Sequence, residues 1–276
     1  MKYLFFFFLS ILLFPNSAFS QNTIVHDNSD WCDEKNNNRY NSSKEQHCEV
    51  REITLEARQN LNVDAGKNGG ISIKSWDKNE IQIMAKVSVY ARRTDNAQAI
   101  ADQVTLQTNS KIKADIPSLD RKQNVSVSYR IYVPREIDLD LETYNGGISI
   151  RDVDGDIRFG TLNGGVRLTN LNGDVRGKTT NGGVKVELIG SEWIGEGLNV
   201  ETTNGGVTLY IPEEYNAQLR TGTVNGSMDF DFPMMISGRF DKKLTTTLGD
   251  GGKTIRVVTT NGGIRIKRNN YRASFK

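Results

Sequence analysis

The chain has 276 residues, 37% of them apolar, which gives room for one large or two ordinary domains with a true core and excludes a disordered polymer. Lys and Arg number 35 against 33 Asp and Glu, a formal net charge of +2, so no global field draws in nucleic acid or an anionic membrane. Electrostatics by count names no partner.

The first twenty residues differ from all that follows. Lys2 gives a basic start, Leu4 to Phe14 form an apolar run, and Ala18-Phe19-Ser20 places small residues around a cleavage site. This pattern predicts a secretory signal peptide over 1–20, cut before Gln21, and a mature chain exported to the periplasm, the cell surface or the medium. The run is short of the roughly 20 residues that span a bilayer, and no later stretch is apolar enough to do so. No transmembrane segment is expected in the mature chain.

Residues 21–51 form a polar leader rich in Asn, Asp, Ser, Lys and Glu, to which composition assigns no secondary structure. Cys32 and Cys48 both lie in it, and an even pair in an exported chain predicts a disulfide. Closing a loop of that size contributes about 3 kcal/mol in the chain-entropy model. His26 and His47 are nearby, but no recognised ligand spacing joins them to the cysteines, so no metal is predicted.

Residues 52–133 are β-rich. Apolar residues alternate with polar ones at Ile53 and Leu55, Leu61 and Val63, Ile71 and Ile73, Ile81 and Ile83, and Val87 and Val89, the pattern of half-buried strands. Asn96 to Val104 is the one helical stretch. Val125 to Val133 is another strand, closed by Pro134.

From 134 to 276 the chain is repetitive. Asn or Asp followed by Gly recurs at Asn145, Asp154, Asn163, Asn172 and Asn181, each nine residues after the last, then at longer intervals at Asn204, Asn225 and Asn261. Asn68-Gly69-Gly70 opens a similar unit upstream. Within each unit, places four, six and nine are apolar: Ile148, Ile150 and Val153, then Ile157, Phe159 and Leu162, then Val166, Leu168 and Leu171. The first two share a strand face and the third does not, so the backbone must bend between them if all three are inward.

Asn-Gly is also a hairpin signal, which keeps an antiparallel meander in view. Two-residue turns would set Ile157 against Asp152 on a face meant for the core. Stacking every second unit sets Ile148 beside Val166 and Val184, and Ile150 beside Leu168 and Val186. The expected fold is therefore all-β, a β-solenoid-like stack of nine-residue units in 18-residue coils, with residues 52–133 as an N-terminal β-rich cap. One coil orders its backbone at about 1–2 kcal/mol per residue, while each inward side chain returns only about 1.5–3 kcal/mol, so coils are stable only as a stack.

The stretches at 69–87 (GGISIKSWDKNEIQIMAKV) and 125–150 (VSVSYRIYVPREIDLDLETYNGGISI), with TTNGG at 179–183, 202–206 and 259–263, resemble the bacterial family of exported β-strand-repeat domains named "putative adhesins", a family of unknown function. The resemblance covers nearly everything after Glu52. It implies a β-solenoid-like fold at the bacterial envelope and no known active site. The cysteine-bearing leader departs from the family pattern.

Candidate chemistry is sparse. Asp152, Asp154 and Asp156 alternate around a glycine, yet the twelfth-position Glu and flanking helices of a calcium loop are missing, so they read as turn carboxylates. Asp138, Asp140 and Glu142 share a strand face, as the carboxylates of a polysaccharide-cleaving β-helix would, but alternating acids are more often a solvent face. Thr179-Thr180, Thr202-Thr203 and Thr259-Thr260 each precede an Asn-Gly and predict a ladder along one edge. Trp76, Trp193, Tyr210 and Tyr215 lie near insertions, as core caps or as sugar contacts, and residues 265–273 are a short basic end.

The residues singled out as structural are Cys32, Cys48, Asn145, Asp154, Asn163, Asn172, Asn181, Asn204, Asn225 and Asn261; none is singled out as catalytic, cofactor-binding or metal-ligating. The expected function is a non-enzymatic exported scaffold or adhesin-like protein of the envelope, with a protein or glycan partner, no cofactor and no nucleic acid. The alternatives are an accessory or sensory protein of envelope stress signalling, and a polysaccharide-cleaving enzyme.

Overall fold

The computed structural model describes residues 23–26, 29–33, 45–231 and 242–269, so the predicted signal peptide and the last basic residues lie outside the described residues. Before the repeats come β1 (Thr23–His26), α1 (Asp30–Asp33), β2 (Glu45–Glu56), β3 (Asn60–Asp64), β4 (Ile71–Ser75), β5 (Glu80–Ala91), α2 (Thr94–Ala101), β6 (Thr105–Gln107), β7 (Ile112–Asp115) and β8 (Asn124–Val133). The repeats supply β9 (Asp138–Asn145), β10 (Ile148–Arg151), β11 (Asp154–Asn163), β12 (Val166–Thr169), β13 (Asn172–Asn181), β14 (Val184–Glu187), β15 (Gly197–Asn204), β16 (Val207–Ile211), β17 (Ala217–Asn225), β18 (Met228–Phe230), β19 (Lys243–Leu248), β20 (Thr254–Asn261) and β21 (Ile264–Arg268).

These strands make two sheets that face each other across the core. The larger runs β1-β2-β5-β8-β4-β10-β12-β14-β16-β21-β18 and the smaller β19-β17-β20-β15-β13-β11-β9-β3-β7-β6. Successive repeat strands alternate between the sheets, and each pairs in parallel with the strand one coil away. Ile148 lies against Val166 and Val166 against Val184, with Ile150 against Leu168 and Leu168 against Val186. The stack is a β-solenoid, and the meander pairing of Ile157 with Asp152 does not occur: Ile157 faces Leu139 and Val175.

The two units of a coil are not equivalent, and the eighth residue of each sets the difference. Asp152 and Asn170 occupy place eight of their units at φ of 58° and 52°, the left-handed region that short polar side chains tolerate. That bend turns the ninth residue inward, and Val153 and Leu171 are buried. In the alternate units place eight is Thr161 or Thr179, the strand continues without a bend, and the threonine is buried while Leu162 lies on the outer side. The expectation that place nine always faces the core is thus correct for every second unit only.

Core volumes are matched between coils. Phe159 is in register with Gly177, and a methyl group at Gly177 would lie 2.3 Å from the Phe159 ring, so the ring occupies the space that the glycine leaves.

Ahead of the repeats, β3 and β4 already form a coil in register with β9 and β10. Beyond it, β8, β5 and β2 extend the larger sheet, with β5 antiparallel to both neighbours. Arg51 on β2 donates to Glu49 and to the carbonyls of Ala101 (2.7 Å) and Val104, pinning the end of α2 to the sheet. The described parts of the leader are more ordered than its composition suggests. β1 pairs with β2, and Cys32 and Cys48 are joined by a disulfide across 16 residues, which supplies the order that apolar burial does not.

The far end of the stack departs from chain order. β20 and β21, last in sequence, lie between the coil of β15 and β16 and the coil of β17 and β18. β19 then closes the edge of β17 in antiparallel fashion. Among the described residues, no helix is long and apolar enough to cross a membrane.

Candidate functional site

The Thr-x-Asn-Gly-Gly corners are built to hold coils together. Each asparagine amide donates to the asparagine one coil away: Asn145 to Asn68 (3.1 Å), Asn163 to Asn145 (2.8 Å), Asn181 to Asn163 (2.8 Å), Asn204 to Asn181 (2.9 Å), Asn261 to Asn204 (2.8 Å) and Asn225 to Asn261 (2.8 Å). Threonine hydroxyls form a parallel series, with Thr161, Thr179, Thr202 and Thr259 donating to the carbonyls of Gly146, Gly164, Gly182 and Gly205 at 2.7–2.9 Å. Of the residues marked by the Asn-Gly repeat, six stand in this ladder. Asp154 and Asn172 stand at the opposite corner, where the Asn172 amide donates to Asp154 at 3.0 Å.

The remaining sequence candidates separate into structural and surface groups. Asp152 accepts from Asn170 at 2.6 Å and Asp154 pairs with Arg135 at 2.8 Å, so both carboxylates brace the second corner. Asp138, Asp140 and Glu142 do share the outer face of β9, and Asp138 accepts from the amide of Asp156 at 2.8 Å. His26 and His47 pair with Glu52 and Glu49, and the disulfide removes both thiolates as ligands. Trp193 and Tyr215 are buried, whereas Trp76 stacks on Tyr132 at 5.4 Å with Lys78 above it, and Tyr210 lies beneath Lys185 at 4.5 Å. Burial lifts the Tyr129 and Tyr215 phenols well above their ordinary value, Asp64 adding to the effect at Tyr129 and Glu192 at Tyr215. These are core groups.

The outer face of the larger sheet carries a feature that the sequence reading misses. The solvent-facing row Arg130, Ser72, Ser149, Arg167, Lys185, Thr208, Arg265 is in register across seven adjacent strands from β8 to β21. A second row two residues further along contains Tyr132, Lys74, Arg151, Thr169, Glu187, Tyr210 and Lys267. Beside the first row the glycines Gly70, Gly147, Gly165, Gly183 and Gly206 present no side chain, and the result is a groove of about 820 Å3 running across the strands. Six cations of β4 to β21 line this face against the single carboxylate of Glu187. Among the described residues, Lys74, Arg151, Arg167, Lys185 and Arg265 have no carboxylate partner.

One end of the groove is occupied by Trp31, which the disulfide at the adjacent Cys32 ties to β2. The Arg130 guanidinium lies 4.1 Å and the Lys86 ammonium 5.0 Å from its ring centroid, and Lys86 also donates to the Trp31 carbonyl at 3.2 Å. The polar leader therefore shapes the site.

The smaller sheet is different. Its outer face mixes signs that pair locally, as in Arg176 with Asp174 and Arg256 with Glu201. The near-zero net charge conceals an excess of cations on the outer face of the larger sheet. Parity could have revealed it, because the fifth and seventh places of every second unit hold Ser149 and Arg151, Arg167 and Thr169, and Lys185 and Glu187.

Residues 135–267 match the family profile described as Toastrack DUF4097, so the resemblance in the sequence and the profile point to one family of unknown function. No curated protein matches the chain. Among solved structures, a "putative cell adhesion protein" from Clostridium sporogenes aligns over 82% of this chain and 100% of its own, with 10% identity and a TM-score of 0.41. A "putative adhesin" from Bacteroides fragilis aligns over 80% and 97%, with 13% identity and a TM-score of 0.33. A "putative lipid binding protein" from Parabacteroides distasonis aligns over 82% and 98%, with 7% identity and a TM-score of 0.30. At such scores these likenesses bear on no ligand.

Proposed function

We propose that this Toastrack-containing chain is a non-enzymatic, exported, adhesin-like protein that holds an extended glycan in the groove of its larger sheet. Residues 52–133 close one end of the stack as a cap, and the coils serve as a rigid body that keeps the groove straight. The observation that carries the reading is the groove itself, with a side-chain-free glycine row flanked by hydroxyls and cations at strand spacing. A pocket of this length along a rigid sheet suits a linear polymer better than a compact metabolite.

The charged side chains lining the groove are Lys and Arg, beside serine and threonine hydroxyls, and among the described lining residues there is no carboxylate pair to act as acid and base on a glycosidic bond. The acids of β9 lie on the other sheet, and binding without turnover is the expected behaviour.

The test is a binding screen of the mature protein, Gln21 to Lys276, against glycans and matrix proteins, with glycan turnover followed in parallel. Saturable binding without product, abolished by Ser149→Trp or Thr208→Trp, supports the reading. Released product refutes it, and binding that ignores both tryptophans places the site elsewhere.

A further inference from the structure

We infer that the groove takes an acidic glycan, with about one saccharide set against each strand and its carboxylates meeting Arg167 and Lys185. This rests on the groove being the binding site and adds the ligand's chemistry and register. Neighbouring strands repeat at about 4.8 Å, a step close to the length of one pyranose along an extended chain. A linear glycan lying across the strands would thus present successive sugars to successive members of one row.

That row is not uniform, and its order is informative. From β4 to β16 it reads Ser72, Ser149, Arg167, Lys185, Thr208, with hydroxyls at both ends and two adjacent cations between them. Hydroxyls suit sugar hydroxyls, and Arg167 suits a carboxylate bidentately. The unpaired Arg151 stands two residues beyond the first row, within reach of a ring substituent on the same side. A polymer charged at every repeating unit would meet hydroxyls at Ser72, Ser149 and Thr208 in the first row, so a sugar chain that offers hydroxyls as well as carboxylates is the better match. A flat anionic bilayer is a poorer one, because the glycine floor is recessed between side chains.

Trp31 gives the site a closed end. With the ring seated against Arg130 and Lys86, the groove is blocked beyond β8 and open past Thr208 toward Arg265. From β8 to β16 there are six strands, a length of about 24 Å at the usual spacing. Affinity should therefore rise with chain length and stop rising once the groove is full.

The experiment is calorimetric titration of the mature protein with oligouronates of two to eight sugars, and with neutral oligosaccharides of equal length. We expect acidic oligomers to bind more tightly with each added sugar up to about six and then level. We also expect Arg167→Gln with Lys185→Gln, both on the exposed face, to weaken binding by about tenfold or more. Neutral oligomers that bind equally well would overturn the acidic assignment while leaving the groove reading intact. Acidic binding without length dependence would overturn the register. No binding by either series, tested beside the tryptophan variants, would remove the groove reading as well. Vesicles containing anionic lipid serve as the last arm: capture that depends on Arg167 and Lys185, with no response to oligouronates, would assign the face to a membrane and refute the proposal.

Discussion

Adjacent glycines of one corner should respond in opposite ways to the same substitution. A methyl group at Gly164 would lie 1.9 Å from the carbonyl oxygen of Gly146 and 2.4 Å from its carbon, inside the backbone of the neighbouring coil. Relief requires the coils to separate by about 1 Å at this corner, because real contacts of this kind do not fall below about 3 Å. Such a shift strains the Thr161 bond to the Gly146 carbonyl (2.9 Å), the Asn163 bond to Asn145 (2.8 Å) and the Ile148 amide bond to Gly165 (3.0 Å). At about 0.5–1.5 kcal/mol each, the loss of all three amounts to about 1.5–4.5 kcal/mol, a large part of a typical folding free energy. At Gly165 the same methyl group meets only the Gly183 carbonyl at 3.5 Å, an ordinary contact. Gly165→Ala should therefore be neutral or stabilise by up to about 1 kcal/mol through the unfolded state. Urea denaturation followed by far-UV circular dichroism measures both. Equal costs for the two variants, or a harmless Gly164→Ala, would refute the close-approach argument.

Gly177→Ala should cost about 1–3 kcal/mol by crowding Phe159, and Phe159→Val in the same chain should recover part of it, giving a coupling of at least about 1 kcal/mol in a double-mutant cycle. Reduction of Cys32–Cys48, or Cys48→Ser, should release the Trp31 ring and shift its fluorescence to the red. The melting midpoint of the stack should stay nearly fixed, because β2 onward has its own pairing; a collapse of global stability would contradict this. Burial raises the Tyr129 and Tyr215 phenols above the ordinary 10.0, so the folded chain keeps protons that the unfolded chain loses. Stability should be unaffected below pH 10 and fall above it by about 1.4 kcal/mol per pH unit for each phenol still protonated in the fold. Tyr129→Phe should halve that slope in denaturation curves, and an unchanged slope would count against the assignment.

The nine-residue recurrence made the coil, the parallel register and the core rows at Ile148 and Ile150 legible, because period and parity survive without tertiary information. The inequivalence of the two half-coils was also written in the sequence, at place eight, where Asp152 and Asn170 alternate with Thr161 and Thr179. The groove was harder to see. Whole-chain charge sums over both faces and the loops, so the local excess of cations at Arg151, Arg167 and Lys185 does not show in the count. The part played by the leader was out of reach, since Trp31 meets Arg130, about 100 residues away in the chain, and Lys86, 55 residues away, only once those segments have folded together. The order of the last coils does not follow chain order: the Asn225 corner reads Thr-Val-Asn-Gly-Ser and the Asn261 corner Thr-Thr-Asn-Gly-Gly, and it is Asn261 that stands beside Asn204.

That last arrangement governs how a stack of this kind can lengthen over evolutionary time. A simple solenoid grows by appending repeats to its free end. Here the coil of residues 254–268 is flanked on both sides, by residues 197–211 and by residues 217–230. Repeats added after it would emerge from between two coils, not at the end of the array, where β18 is the edge of the larger sheet. Lengthening by duplication is simplest upstream, among the 18-residue coils between Asn145 and Asn181, where each new copy would bring its own asparagine, its own threonine and one more rung of the groove.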